Sequence, residues 1–154
     1  MKIKVDLQAE IRYAIRLCER TARLYRRAQT IAIVAFVVGA SAALANIAGD
    51  LPKWVTASGA VLFVLAGASL IAVRPGDKAA QNEADIRRYQ ALLAKSVKMT
   101  DTDLEEALEE AHQGDAPEIE PLRDVAYNDI AREQGCPDAV VQLTFAQRIL
   151  AKMA

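Results

Sequence analysis

The clearest pattern in the chain is a pair of long apolar runs that contain no charged side chain. Residues 28–49 supply 22 uncharged positions, and residues 54–73 supply 20 more. About 20 apolar residues in a helix cover a bilayer hydrocarbon core of roughly 30 Å. In lipid a helix also satisfies its own backbone hydrogen bonds. The pattern therefore predicts two membrane-spanning helices, and the alternative is a soluble bundle with two buried core helices.

A short connector separates the two runs and consists of Asp50, Leu51, Pro52 and Lys53. Pro52 opposes one unbroken helix, and Asp50 is a common turn residue. Basic residues flank the outer ends of both runs, whereas the connector holds a single lysine. The positive-inside rule therefore predicts a multi-pass protein with both termini in the cytoplasm and the connector outside.

Residues 1–27 have helical periodicity with two opposite faces. One face carries apolar or small side chains, namely Leu7, Ile11, Ile15, Cys18, Ala22 and Tyr25. The other face carries a basic stripe of five arginines, namely Arg12, Arg16, Arg20, Arg23 and Arg27. At 3.6 residues per turn these spacings predict an amphipathic helix that continues into the first span.

Three roles for the basic stripe stay open. It can attract anionic lipid headgroups, pair with the acidic tail of its own or a neighbouring subunit, or receive a phosphorylated ligand or nucleic acid. The sequence offers no interleaved aromatic platform and no known nucleic-acid motif. This argues against direct nucleic-acid binding.

Small residues recur on one side of each run. In the first run they are Ala32, Ala35, Gly39, Ala42, Ala43 and Asn46, and in the second they are Gly59, Ala66 and Gly67. Small faces let helices approach closely in lipid, either within the pair or between subunits around a pore. The helix-packing or pore candidates are Ala35, Gly39, Ser41, Ala43, Asn46, Thr56, Gly59 and Gly67. Neither run holds an ionisable residue, which argues against a proton relay.

The remainder of the chain, residues 74–154, is acidic and has the pattern of several helices. It carries sixteen Asp or Glu against ten Lys or Arg, whereas residues 1–27 carry eight basic and three acidic residues. Periodicity and capping signals predict helices over about 78–97, from a Thr102–Glu105 capping box to about 111, from Pro121, and over about 138–153. The predicted fold class is all-α. Its three parts are the amphipathic helix (1–27), a transmembrane hairpin (28–73) and an acidic helical cytoplasmic region (74–154).

The sequence contains no recognisable catalytic or metal-binding constellation. The run Glu105, Glu106, Glu109 and Glu110 has the spacing of a solvated helix face, and His112 has no second histidine. Cys18 and Cys136 are far apart in the chain and fit reduced thiols. We therefore expect a protein that is not an enzyme and that needs no cofactor or metal.

Two segments of the tail carry a family resemblance. The first is Arg-Arg-Tyr-Gln-Ala-Leu-Leu (87–93), and the second is Ala-Pro-Glu-Ile-Glu-Pro-Leu-Arg-Asp-Val-Ala-Tyr-Asn (116–128). Together with the layout of a juxtamembrane helix, two spans and a helical tail, they resemble the SLATT family of small bacterial two-span membrane proteins. The resemblance covers most of the chain. Tyr89 and the pair Tyr127-Asn128 match these segments, and we expect them to pack among the cytoplasmic helices.

The resemblance implies an oligomeric effector of bacterial conflict systems, of the abortive-infection type that acts against phages. Such a protein would form a pore in the bacterial inner (cell) membrane, or depolarise it, after a signal from a partner. The implied partners are further copies of the chain and a sensor, a nucleotide-signalling enzyme or a reverse transcriptase. One alternative is a membrane anchor or scaffold that recruits a cytoplasmic partner through the C-terminal helices. A membrane enzyme is the third hypothesis.

Overall fold

The computed structural model describes residues 3–45, 49 and 52–154, and the described residues form helices without any strand. The helices are α1 (Lys4–Ala45), α2 (Lys53–Val73), α3 (Pro75–Ser96), α4 (Asp101–Gln113), α5 (Arg123–Glu133) and α6 (Phe145–Met153). Short 3₁₀ turns occupy Glu120–Leu122 and Pro137–Ala139. The predicted all-α class is confirmed, and α1 continues from the basic stripe into the first apolar run.

The starts of α3 and α4 differ from the predicted ones because local backbone geometry decides them. Arg74 adopts a left-handed conformation with φ 49°, which ends α2. Pro75 then begins α3 directly, since a proline at the first helical position has no hydrogen bond to lose. In α4 the capping residue is Thr100, whose hydroxyl accepts from the Asp103 amide at 3.2 Å. The predicted capping box at Thr102 is therefore wrong.

The last helix is shorter than predicted. The helix expected from Asp138 begins only at Phe145, after a 3₁₀ turn and an extended stretch. Thr144 caps it, and the Thr144 and Gln147 side chains each bond the other residue's backbone amide. This capping box satisfies two of the free amides at the helix start.

The contacts within the chain divide it into two compact units. The terminal unit comprises Met1–Leu24 and Lys78–Ala154, and the middle unit comprises Tyr25–Asp77. The terminal unit therefore joins residues from both ends of the chain, whereas the middle unit contains the two apolar runs.

Two apolar clusters form the core of the terminal unit, and α1 contributes to both. The first contains Leu7, Ile11, Ala14 and Cys18 of α1 with Tyr89, Leu92, Leu104, Leu108 and Ala111. The second contains Leu17, Leu122, Val125, Ala126 and Ala154. Each large apolar side chain buried in this way contributes about 1.5–3 kcal/mol. The predicted apolar face of α1 is buried at Leu7, Ile11, Cys18 and Ala22, whereas Ile15 is only half-buried.

Candidate functional site

The middle unit exposes an unusually apolar surface. By length and composition, two helices of the described chain can cross a membrane. The most apolar window has a mean hydropathy of 2.0 in α1 and 2.1 in the stretch Lys53–Ser96, yet only 6% and 11% of these windows are buried. Core helices of a soluble protein would be mostly buried. The outward side chains include Ile31, Val34, Val38, Leu44, Val61, Val64, Leu65 and Ile71.

The closest approach between α1 and α2 lies at two glycines. A Cβ atom placed on Gly39 would lie 2.6 Å from the Phe63 amide nitrogen and 2.7 Å from the Gly59 carbonyl oxygen. A Cβ atom placed on Gly59 would lie 2.5 Å from the Ala42 Cβ. No side chain fits at either position, so the two helices touch through their backbones, as small residues allow.

Aromatic rings continue this contact on one side of the glycines. The Phe36 and Phe63 rings lie with centroids 4.4 Å apart, and a Cβ atom placed on Gly67 would lie 3.2 Å from the Phe36 ring. Because Gly39 faces Gly59 while Phe36 faces Gly67, α1 and α2 pass one another in opposite directions within the middle unit.

The predicted packing candidates therefore divide into two groups. Gly39, Gly59 and Gly67 lie at the contact between α1 and α2, and the Ala43 backbone lies next to Gly59. Ala35 is half-buried. These residues contact each other within one chain. This corresponds to packing within the helix pair, the simpler of the two interpretations of the small residues, rather than to packing between subunits.

The remaining candidates are polar. The exposed Ser41 hydroxyl donates to the Val37 carbonyl of its own helix at 2.9 Å. Thr56 is half-buried, and its hydroxyl oxygen is buried without a hydrogen-bond partner among the described residues. Asn46 lies outside the described residues.

The sequence pattern did not single out two further hydroxyls of the middle unit, those of Thr30 and Ser58. Ser58 is exposed on α2, and its hydroxyl donates to the Trp54 carbonyl at 2.8 Å. Serines can bond the carbonyl one turn back in their own helix, and this leaves no donor unsatisfied in an apolar solvent. In the sequence Ser58 directly precedes Gly59, one of the small packing residues, and this position was the signal that could have identified it.

Two arginines of the basic stripe, Arg16 and Arg20, form ion pairs with acids of the C-terminal tail. Arg20 lies 2.7 Å from the Asp129 carboxylate, with both side chains mostly buried, and also donates to the Ala151 carbonyl. Arg16 pairs with Glu133 and with Glu19. For these two arginines the structure corresponds to the second of the three roles, pairing with the acidic tail.

The other stripe arginines are exposed. Arg23 lies 3.8 Å from Glu19, at the limit of an ion pair, and Arg12 and Arg27 are exposed on α1. Exposed ion pairs of this kind stabilise a fold little. The stripe therefore contains two half-buried arginines that pair with the tail, Arg16 and Arg20, and three arginines that are more exposed.

A partly buried polar network holds the segment after α4 against α3. Arg88 bridges Asp85 and Asp115 at 2.9 and 2.8 Å, and the Tyr89 hydroxyl donates to Asp115 at 2.6 Å. The Ala116 amide donates to Asp85. Burial raises the pKa of Asp115, although the hydrogen bond from Tyr89 opposes this shift, and burial also raises the pKa of Tyr89. Tyr89 is fully buried, as its expected packing role requires.

Asn128 ties α5 to the extended stretch before α6. Its side-chain amide donates to the Val141 carbonyl at 2.8 Å, and its carbonyl oxygen accepts from the Val141 amide at 2.8 Å. Asn128 is buried, whereas the neighbouring Tyr127 is 44% exposed. The packing role expected for Tyr127 is therefore wrong, and Asn128 acts through paired hydrogen bonds rather than through packing alone.

An open cavity of about 360 Å³ lies within the terminal unit. Its polar lining includes Glu10, Cys18, His112, Asp115 and Glu118. Burial, followed by the charges of Asp115 and Asp85, raises the pKa of Cys18 to about 12. A thiol with this pKa stays protonated and is a poor nucleophile. Across the described ranges, no group of three or more His, Cys, Asp or Glu residues could hold a metal ion.

The two cysteines should differ strongly in reactivity. We expect maleimide to label exposed Cys136 at least ~100-fold faster than Cys18 near neutral pH, because only the thiolate reacts and Cys18 is buried with a raised pKa. Intact-mass spectrometry over time measures both rates, and Cys136→Ser isolates the slow one. In denaturant both thiols should react alike, whereas equal rates in the folded protein would contradict the burial of Cys18.

Comparisons with known proteins assign no family to the chain. No protein-family model, no curated protein and no solved structure gives a match.

Proposed function

We propose that the chain is an oligomeric membrane effector that forms a pore in the bacterial inner membrane, or depolarises it, as part of an abortive-infection response to phages. The observation that carries the proposal is the exposure of the most apolar surface of α1 and α2. Soluble monomers rarely expose contiguous apolar patches above a few hundred Å². Exposing such a surface to water costs free energy, and surrounding it with lipid removes that cost.

The same observation supports the transmembrane hairpin. The contacts at Gly39 and Gly59 hold α1 and α2 side by side. With the connector outside, both ends of the chain lie in the cytoplasm, in accord with the excess of basic residues in 1–27. The acidic helices of the terminal unit then form the cytoplasmic part.

The proposed pore implies assembly, because two helices cannot enclose a channel. A pore requires several copies, and a symmetric ring is the ordinary solution. Since Gly39, Gly59 and Gly67 already make contacts within the chain, contacts between subunits would use the outward faces. Exposed hydroxyls, Ser41 on α1 and Ser58 on α2, are the polar groups that such an assembly would turn toward water.

In this proposal another molecule supplies the signal that activates the effector. The resemblance to SLATT proteins supports a sensor, a nucleotide-signalling enzyme or a reverse transcriptase as the partner. The terminal unit has its own two-part core, and it is the part of the chain that would receive the signal.

Two measurements on the full-length protein test the proposal. We expect the detergent-extracted particle to have a mass that is a multiple of the 16.7 kDa chain. We also expect it to release potassium from liposomes, and to collapse the membrane potential of expressing cells upon phage infection. A monomeric particle together with an unchanged potential, before and after infection, would reject the pore.

A membrane anchor or scaffold is the second candidate, and the separate core of the terminal unit favours it. Replacing residues 28–73 with an unrelated pair of spans distinguishes the two functions. A scaffold would keep its protective effect in cells after this exchange, whereas a pore-forming effector would lose it.

A further inference from the structure

Helix α6 presents apolar side chains to solvent. Phe145 is 78% exposed and Ile149 is 45% exposed, and their spacing of four residues places them on one face. Val141, in the extended stretch just before the helix, is also exposed. An exposed phenylalanine followed by an exposed isoleucine one turn later is a contact surface that needs an explanation.

The opposite face of α6 holds the helix firmly in the terminal unit. Leu150 and Ala151 pack against the second core cluster together with Leu24. The Ala151 carbonyl accepts from Arg20, and Gln147 donates to Asp124 at 2.7 Å. The exposed apolar residues therefore belong to a helix fixed by packing and capping, rather than to a fraying end.

Both charged residues of α6 itself are basic, although the tail as a whole is acidic and Asp124 contacts the helix at Gln147. All sixteen acidic residues of 74–154 occur at or before Asp138, and α6 carries Arg148 and Lys152 without any acid. Both basic residues are exposed. An apolar face beside basic side chains is the pattern of helices that lie in a lipid interface. Each basic residue near an anionic surface contributes about 1 kcal/mol of attraction.

The partners of α6 on α1 are close in sequence to the first apolar run. Arg20 bonds Ala151, and Leu24 lies in the same cluster as Leu150. The uncharged run begins at Ala28, four residues after Leu24 on the same unbroken helix.

We propose that the outward face of α6, formed by Phe145, Ile149, Arg148 and Lys152, docks on the anionic lipid surface of the membrane. The inference rests on the proposed membrane location of α1 and α2. It adds that the tail touches the bilayer through its last helix, so that a partner binding at α6 would have to displace lipid.

Tryptophan fluorescence in liposomes tests this contact. Trp54 is the single tryptophan, so the double variant Trp54→Phe, Phe145→Trp places the only reporter on α6. In vesicles that contain phosphatidylglycerol we expect blue-shifted emission that loses about half its intensity with brominated acyl chains, because an interfacial helix is buried by roughly 5–10 Å. Adding Arg148→Gln and Lys152→Gln should remove most of this quenching, and vesicles of phosphatidylcholine alone should show little.

A matched control uses another exposed apolar position of the terminal unit. Val97 is 75% exposed, and its carbonyl accepts from Lys4, which precedes the apolar run by 24 residues in the sequence. Val97→Trp in the Trp54→Phe background should show neither the blue shift nor the quenching. Emission of the position-145 reporter that stays unquenched would overturn the proposal. A blue shift without bromine quenching would also overturn it, since a second copy of the chain would then cover the face.

The unaltered protein separates this inference from the proposed function. Its only tryptophan, Trp54, reports insertion of α2 and should be quenched by brominated lipid. Quenching of Trp54 without quenching at position 145 rejects the α6 contact alone. Absence of both rejects the membrane location itself.

Discussion

We expect Gly39→Leu to abolish liposome efflux and to lower the thermal stability of the full-length protein in detergent. The added Cβ atom would lie 2.6 Å from the Phe63 amide nitrogen and 2.7 Å from the Gly59 carbonyl oxygen. Because both neighbouring atoms belong to the backbone, the helices have to separate. Overpacking of this kind costs about 1–3 kcal/mol or more. Efflux of an entrapped dye and the melting midpoint measure the two effects.

The matched control for Gly39→Leu is Ala60→Leu. Ala60 follows Gly59 on α2 but is exposed, so a leucine there points away from the contact with α1. The control should keep the melting midpoint of the unaltered protein. An unchanged midpoint for Gly39→Leu would contradict the backbone contact between the two helices. A lowered midpoint with normal efflux would show that this contact is not needed for permeation.

The second large effect is expected for Asn128→Ala. The substitution removes both hydrogen bonds to Val141 and leaves the partly buried amide and carbonyl groups of Val141 without these partners. Each unsatisfied group costs about 1–3 kcal/mol, so we expect a loss of roughly 2–5 kcal/mol of stability. Chemical unfolding of the full chain in detergent measures this loss. The stretch before α6 should also become sensitive to protease, since Asn128 is what holds Val141 against α5.

Asn82→Ala is the control, because it has the same residue type and nearly the same burial. Asn82 is 3% exposed and its amide donates to the Lys78 carbonyl of its own helix at 2.9 Å. That carbonyl is an acceptor of the helix ladder, so losing the side chain leaves no backbone group orphaned. We expect a loss below about 1 kcal/mol. Equal losses for the two variants would refute the role assigned to Asn128.

Short-range patterns predicted most of the helices. The periodicity of residues 1–27 and the uncharged run of 28–49 both appear in α1, since helix formation depends on neighbours three or four residues apart. The start of α6 was misplaced for a related reason. Residues 138–144 have apolar spacing compatible with a helix, but Asn128 of α5 holds Val141 in an extended conformation through two hydrogen bonds. Asn128 lies thirteen residues before Val141, so the local pattern of residues 138–144 does not reveal these hydrogen bonds.

The features of the candidate site also divide into those that the sequence predicted and those that it could not. The small-residue pattern was enough to identify Gly39, Gly59 and Gly67 as packing positions, because close helix contact requires small side chains. Which glycine faces which neighbour was not predictable, since it depends on how α1 and α2 rotate and shift along each other. Likewise, the stripe was visible as five arginines, but only folding brought Asp129 and Glu133 next to Arg20 and Arg16.

The sequence by itself determined the all-α class, the two apolar runs and the opposite faces of the first helix, because each depends on composition or on helical spacing along a few turns. The tertiary structure alone decided that α1 meets α2 through Gly39 and Gly59, that Arg20 pairs with Asp129, and that α6 turns Phe145 outward. These features join residues that are distant in the chain. Their geometry depends on the packing of whole helices, which no local pattern records.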